Sequence, residues 1–199
     1  MFSSVLQRLN DRRDAAGDAG EDAGFTLIEL MVVLLILAIL LAIAIPTFLG
    51  VTKSANDRAS QSNLNTALVN SKAAFQQAGQ TYTQLNAATL SSAEPSLSYT
   101  TANSGAQSTI SLYTSTDGNG VILVAFSKSN NCWGVADNTQ AITNLPTANL
   151  VQYTNSTTAG SVPIAPGEWY GKWAGATAAQ CSSATGLSGM VWQQNSFAP

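Results

Sequence analysis

Histidine is absent from this 199-residue chain, and only 10% of its residues are charged. Without an imidazole, without a nucleophile elbow and with its acids scattered singly, the sequence offers no catalytic constellation. The reading is therefore a non-enzyme that needs no cofactor and no metal. A formal net charge of −3 excludes the basic footprint of a nucleic-acid binder, so no specific nucleic acid is inferred. There are two cysteines, Cys132 and Cys181, too far apart for a zinc ribbon or a redox Cys-x-x-Cys motif. A disulfide is the natural reading if the domain lies outside the cytoplasmic membrane; two unpaired buried thiols are the alternative.

Charge is missing most completely from one stretch. Every residue from Leu30 to Ile45 is apolar, and nothing ionisable occurs between Glu29 and Lys53. Phe25 to Leu49 as a helix would extend about 37 Å, more than the roughly 30 Å of a bilayer's hydrocarbon core. Glu29 stands at the start of this run, where a carboxylate is expensive. A central acid in a bilayer costs on the order of 2.5–3.5 kcal/mol even on lenient insertion scales, so Glu29 is a functional candidate. Pro46 removes one backbone hydrogen bond and crowds the carbonyl of Ala42, which predicts a kink and not an end, because helical spacing resumes after it.

Residues 1–24 form a polar leader in which Arg8, Arg12 and Arg13 lie among Asp11, Asp14, Asp18, Glu21 and Asp22. The arginines place the N-terminus on the cytoplasmic side under the positive-inside rule. Arg12-Arg13 is a poor twin-arginine signal, since Asp14 follows directly and no apolar run begins nearby. Loss of the leader leaves five basic and six acidic residues, a net charge of −1.

The string Gly24-Phe25-Thr26-Leu27-Ile28-Glu29, followed by a long hydrophobic helix, resembles the processing and assembly segment of type IV prepilins. The likeness is specific over residues 24–48 and fades beyond them. It implies cleavage by a prepilin peptidase, a membrane aspartyl protease, on the cytoplasmic side between Gly24 and Phe25. It also implies N-methylation of Phe25 by the same enzyme. Gly24 suits a protease groove because it has no Cβ. Glu29 becomes the fifth mature residue, paired with its own terminal amine in a lone subunit and with a neighbour's N-terminus in a filament. The implied partners are further copies of the chain in a helical filament and an inner-membrane assembly machinery. The implied location is a single-pass cytoplasmic-membrane precursor, then a cell-surface pilus serving adhesion or motility. Pro46, after Ala42 and Ala44, marks where family helices loosen in filaments.

After Gly50 the sequence turns polar, yet Val51, Ala55, Leu64, Ala67, Leu68, Ser71, Ala74, Phe75 and Ala78 keep helical spacing. This predicts an amphipathic helix that stops at Gly79. Residues 80–107 read as a long connection with a short helix around Gln84 to Ala93. Strands are expected at Ile110 and Leu112, at Val121 to Phe126 as a central strand, at Cys132 to Ala136, and last at Leu187 to Gln193. Asp117-Gly118-Asn119-Gly120 is a hairpin-turn string. Asp117 and Asp137 both read as turn residues in preference to calcium ligands. Trp133, Tyr153, Trp169, Tyr170, Trp173 and Trp192 read as core and loop anchors ahead of a ligand-binding patch, and Asn155-Ser156-Thr157 is a weak glycosylation sequon. The fold class is α+β, pilin-like, with one long N-terminal helix packed on a small antiparallel sheet. Its parts are a leader 1–24, a transmembrane or filament-core helix 25–50, an amphipathic half 51–79 and an extracellular β head 80–199.

Two alternatives remain open. One is a pseudopilin of a type II secretion-like system; the sparse acids argue against its calcium-binding major subunit, and Glu29 against the tip subunit that typically lacks it. The 24-residue leader, longer than is usual with Phe at the cut site, leaves the subfamily open. The other is a secreted soluble protein with a signal peptide cut after Ala44, since Ala42-Ile43-Ala44 fits an A-x-A site. Intact mass separates these: the expected mature chain begins at Phe25, and a start at Ile45 would establish the secreted form.

Overall fold

The computed structural model describes residues 25–142, 151–153, 161–163, 165–184, 187 and 189–197, and the chain divides after Phe48 into two compact units. Helix α1 spans Leu27–Gln77, 51 residues with Pro46 inside it. The helix continues past the proline as expected. Just beyond it, the Thr47 hydroxyl donates to the Ile43 carbonyl at 3.0 Å, adding a side-chain bond beside the gap that proline leaves. The helix ends where Gly79 and Gln80 both turn to positive φ (76° and 65°), and the Gln80 N–H donates to the Phe75 carbonyl at 2.9 Å. A left-handed glycine with that backward bond is a helix-stopping arrangement.

The second half of α1 buries Ser60, Leu64, Ala67, Leu68, Ser71 and Phe75, steps of three and four that form one face. The two serines are small enough for close approach, and their hydroxyls are satisfied by carbonyls four residues back, Ser60 on Asn56 and Ser71 on Ala67. Val51 and Ala55, expected to begin this stripe, are exposed. They precede the first packed residues, because the sheet begins opposite Asn56 and Asp57.

Helix α2 (Ala87–Ala93) is started by a capping box between Asn86 and Thr89. Strands β1 (Ser98–Thr100), β2 (Thr109–Thr114), β3 (Gly120–Ser127), β4 (Asn131–Asn138), β7 (Gly167–Ala174) and β8 (Val191–Gln194) form one sheet in the order β1-β2-β3-β4-β7-β8. The sheet is antiparallel except for the β1–β2 pair, which is parallel because residues 101–108 carry the chain back to the end where β1 began. Strands β5 (Val151–Tyr153) and β6 (Ser161–Pro163) form a separate parallel pair.

Strand β3 is the centre expected of an uninterrupted apolar run, covered on both faces. Val121, Leu123 and Ala125 join Leu64, Leu68, Phe75, Ile110, Leu112, Trp133 and Val135 under α1. Ile122 and Val124 face the other way, onto Cys132, Ala136, Trp169, Cys181, Leu187, Met190 and Trp192. This second core is roofed by the segment after β7. A Cys132–Cys181 disulfide, its ends 49 positions apart in sequence, holds that roof to β4. In the chain-entropy picture a loop of this size stabilises the fold by about 4 kcal/mol. Bonds from the Ser104 N–H to the Cys181 carbonyl (2.7 Å) and from the Ser183 N–H to Ser111 Oγ (3.0 Å) fasten it to the other side.

Strand β7 lies in a region read as loop-rich, and β8 is shorter than its expected span. The aromatics Trp169, Tyr170 and Trp173 were the β signal there, obscured by Pro163 and Pro166 just before them. Asp137 is a correction: it sits in β4, buried, and not in a turn. Asp117 does occupy the turn, its Oδ1 accepting from the Asn119 N–H at 3.0 Å. The sequon 155–157 lies outside the described residues.

Gly134 and Gly171 are register partners on β4 and β7. A Cβ on either would fall 2.8 and 2.5 Å from the Met190 sulfur, with the Trp192 ring at 3.0 Å from both. The paired glycines leave a dent that these two side chains fill. Gly171→Val should therefore overpack the second core, costing about 1–3 kcal/mol. A thermal melt followed by circular dichroism is expected to show a lowered Tm; an unchanged Tm would show that Met190 can move aside freely.

Candidate functional site

Helix α1 opens with a device the sequence reading did not single out, Thr26-x-x-Glu29. The Thr26 N–H and hydroxyl both donate to Glu29 Oε2, at 2.8 and 2.7 Å, and the Glu29 N–H donates back to Thr26 Oγ1 at 3.2 Å. This is a capping box, with threonine at the N-cap and glutamate three residues on. It differs from the expected pairing with a terminal amine for a chemical reason. While the leader is attached, the nitrogen of Phe25 is an amide, so the carboxylate takes the nearest neutral donors instead.

Among the described residues no cation approaches Glu29, and the next basic residue is Lys53. The side chains that follow are exposed: Leu30, Met31, Val32, Val33, Leu34 and their successors up to Ile45 are covered by none of the described residues. Phe25 is 86% exposed, while Gly24 lies outside the described residues. The segment is long and apolar enough to cross a membrane. Its chemical capacity is association: uncovered hydrocarbon with a single carboxylate at one end.

Two clamps built on charged residues, neither evident from the sequence, hold the packed half of α1. Asp57 accepts from the Ser129 hydroxyl, from Asn131 Nδ2 at 2.9 Å and from Trp133 Nε1 at 2.9 Å. Burial alone would raise its pKa, but the donors from Ser129, Trp133, Ser127 and Asn131 outweigh it and hold the carboxyl below its ordinary 3.8. Four turns on, Lys72 Nζ meets Glu168 Oε1 and lies 3.5 Å from Asp137 Oδ1, while the Tyr82 hydroxyl donates to Asp137 Oδ2. Burial would lower the Lys72 pKa; its bond to Glu168 and the charge of Asp137 more than reverse this, lifting it above 10.5. Burial, then the Asp137 contact, push the Tyr82 phenol well above 10.0. Trp133, Trp169 and Trp192 are buried core residues and Tyr170 and Trp173 are half-buried, so the aromatic residues anchor the fold. Among the described residues no group of three or more His, Cys, Asp or Glu could hold a metal ion.

With this geometry in view, residues 21–45 match the family described as the prokaryotic N-terminal methylation motif, the type IV prepilin signature. The match covers Gly24, Phe25, Thr26, Glu29 and the apolar helix up to Ile45. It supports a pilin-like or pseudopilin-like prepilin, a structural class of protein, with a membrane-anchored precursor. No curated protein and no solved structure gives a significant match to the chain.

Both clamps predict a stability plateau with two edges. The depressed Asp57 pKa stabilises the fold above the unfolded value of 3.8, a contribution lost as pH falls through the lower folded value. The raised Lys72 and Tyr82 pKa values stabilise it below 10.5 and 10.0, a contribution lost as pH rises beyond them. Chemical denaturation midpoints are expected to be level between about pH 5 and pH 9 and to fall on either side. Asp57→Asn should flatten the acid edge.

Proposed function

We propose that this chain is a structural subunit of a type IV pilus-like surface filament. The supporting observation is the prepilin signature placed on a helix whose apolar side chains from Leu30 to Ile45 no described residue covers. A prepilin peptidase cuts between Gly24 and Phe25 and methylates the new Phe25 amine. The apolar half of α1 is held in the cytoplasmic membrane, then packs with its counterparts in a filament core, with the head displayed outside. Glu29 fixes register there by pairing with the amino terminus of an adjoining subunit, and the helix yields at Pro46 as it leaves the lipid. Adhesion or motility is the role such a filament serves.

Mass spectrometry of sheared surface filaments, imaged by electron microscopy, tests the proposal. Peptides beginning at methylated Phe25 are expected in that fraction, and their absence from it would reject the reading. Within the same scheme, removing one partner of a buried ion pair costs about 3–5 kcal/mol. Glu29→Ala should therefore leave membrane levels unchanged while filament yield drops by roughly tenfold or more. Normal yield from this variant would dismiss the register role.

A further inference from the structure

Resting on that membrane-held reading, the distribution of charge in the head points to a further surface. Once residues 1–24 are gone, the basic residues are Lys53, Arg58, Lys72, Lys128 and Lys172. Lys72 is neutralised by Glu168 and Asp137. The other four gather at one end of the head. Lys53 precedes Asp57 by one turn of α1. Arg58 and Lys172 line a cleft of about 310 Å³ together with Ser54, Gln61 and Asp57. Lys128 sits in the β3–β4 turn beside Ser129, whose hydroxyl donates to Asp57. Lys53, Arg58 and Lys128 are exposed, and Lys172 lies over the Trp133 ring with its Nζ 5.0 Å from the centroid. The acid at this end, Asp57, turns its oxygens inward to Ser129, Asn131 and Trp133. Asp117, Asp137 and Glu168 lie toward the opposite end, around the last turns of the helix and the β2–β3 turn.

We propose that this basic end is a binding surface for anionic phospholipid headgroups of the membrane that holds the apolar helix. Chain continuity supplies the proximity. Lys53 follows Leu49 by four residues in the same helix, about 6 Å along the axis. That is inside the Debye length of roughly 8 Å at physiological salt. Arginine and lysine stems can lie along the helix while their charged tips reach the phosphate layer. Each cation that comes within a Debye length of an anionic surface favours contact by roughly fivefold. Such a surface engages anionic headgroups while the subunit is held in lipid and gives them up when the subunit leaves for the filament.

The test uses full-length mature protein reconstituted in phosphatidylcholine vesicles, with or without phosphatidylglycerol, each doped with a dansyl-headgroup lipid. Energy transfer from the head's tryptophans to the dansyl group reads head-to-headgroup contact. Expected are stronger transfer with phosphatidylglycerol, its loss as salt rises from about 50 mM to 500 mM, and its loss in a K53Q/R58Q/K128Q/K172Q variant. The double variant K53Q/K128Q, which changes two exposed side chains only, should lose part of it; formation of the disulfide on non-reducing gels checks that each variant folds. Equal transfer in both lipids, or transfer indifferent to salt and to both variants, overturns the proposal. If the quadruple variant shows wild-type transfer but no longer builds filaments, the basic end belongs to a neighbouring subunit and the lipid surface is likewise overturned. Failure of the wild type to float with either vesicle would instead remove the membrane reading on which the proposal rests.

Discussion

No described residue covers the apolar run of α1 from Leu30 to Ile45. A six-stranded sheet has two faces, and both are already taken. The second half of α1 fills one of them with Leu64, Leu68 and Phe75, while the disulfide-held segment carrying Leu187 and Met190 fills the other. Leu30 to Ile45 are exposed among the described residues, and burying each large apolar side chain there is worth about 1.5–3 kcal/mol. A surface of this kind must be satisfied by lipid or by other helices. Continuous helical backbone bonding is what lets it be satisfied by either, because no peptide group is left exposed to hydrocarbon except at Pro46.

The scarcity of charge has a structural consequence in the head. With so few ionisable groups, each one that touches α1 fixes its placement. Asp57 ties the beginning of the packed half to β4 and the β3–β4 turn; Lys72 ties its far end to β4 and β7. The apolar stripe between them is built largely of Ala, Ser and Leu, which tolerates sliding better than a stripe of interlocking aromatics would. Two polar pins on one helix, about 22 Å apart along its axis, remove that freedom. Buried polar contacts used in this way specify register more than they add stability.

The sequence made legible the features that rest on long or repeated patterns. These are the apolar run, the amphipathic spacing from Leu64 to Phe75, the Asp117 turn, the central strand at Val121 and the stop at Gly79. It hid what depends on pairing between distant positions. Strand β7 was masked because its alternation is carried by tryptophan, tyrosine and glycine, and not by aliphatic residues. Gly134 and Gly171 look like strand breakers until the register sets them opposite each other beneath Met190. Asp137 looks like a turn residue until Tyr82 and Lys72 supply its partners from 55 and 65 positions away. The Thr26–Glu29 box has the spacing of a capping box in the sequence itself, but the apolar run that follows makes the same glutamate stand out as a costly charge.

That local role bears on how the proposed processing works. In the unprocessed chain Glu29 is satisfied by neutral donors one turn back, so its charge is tolerated without any cation. Cleavage after Gly24 changes the electrostatics at one stroke. It creates an amine on Phe25, adjoining the threonine that already holds the carboxylate, and it is the sole cation before Lys53. Methylation keeps that charge while making it bulkier and less hydrated. The Thr26 bonds all fall on Oε2, so among the described residues Oε1 is the acceptor oxygen left over, and in the proposed assembly it is the one that a neighbouring subunit's amine would meet. The capping box meanwhile keeps the helix terminus from unravelling.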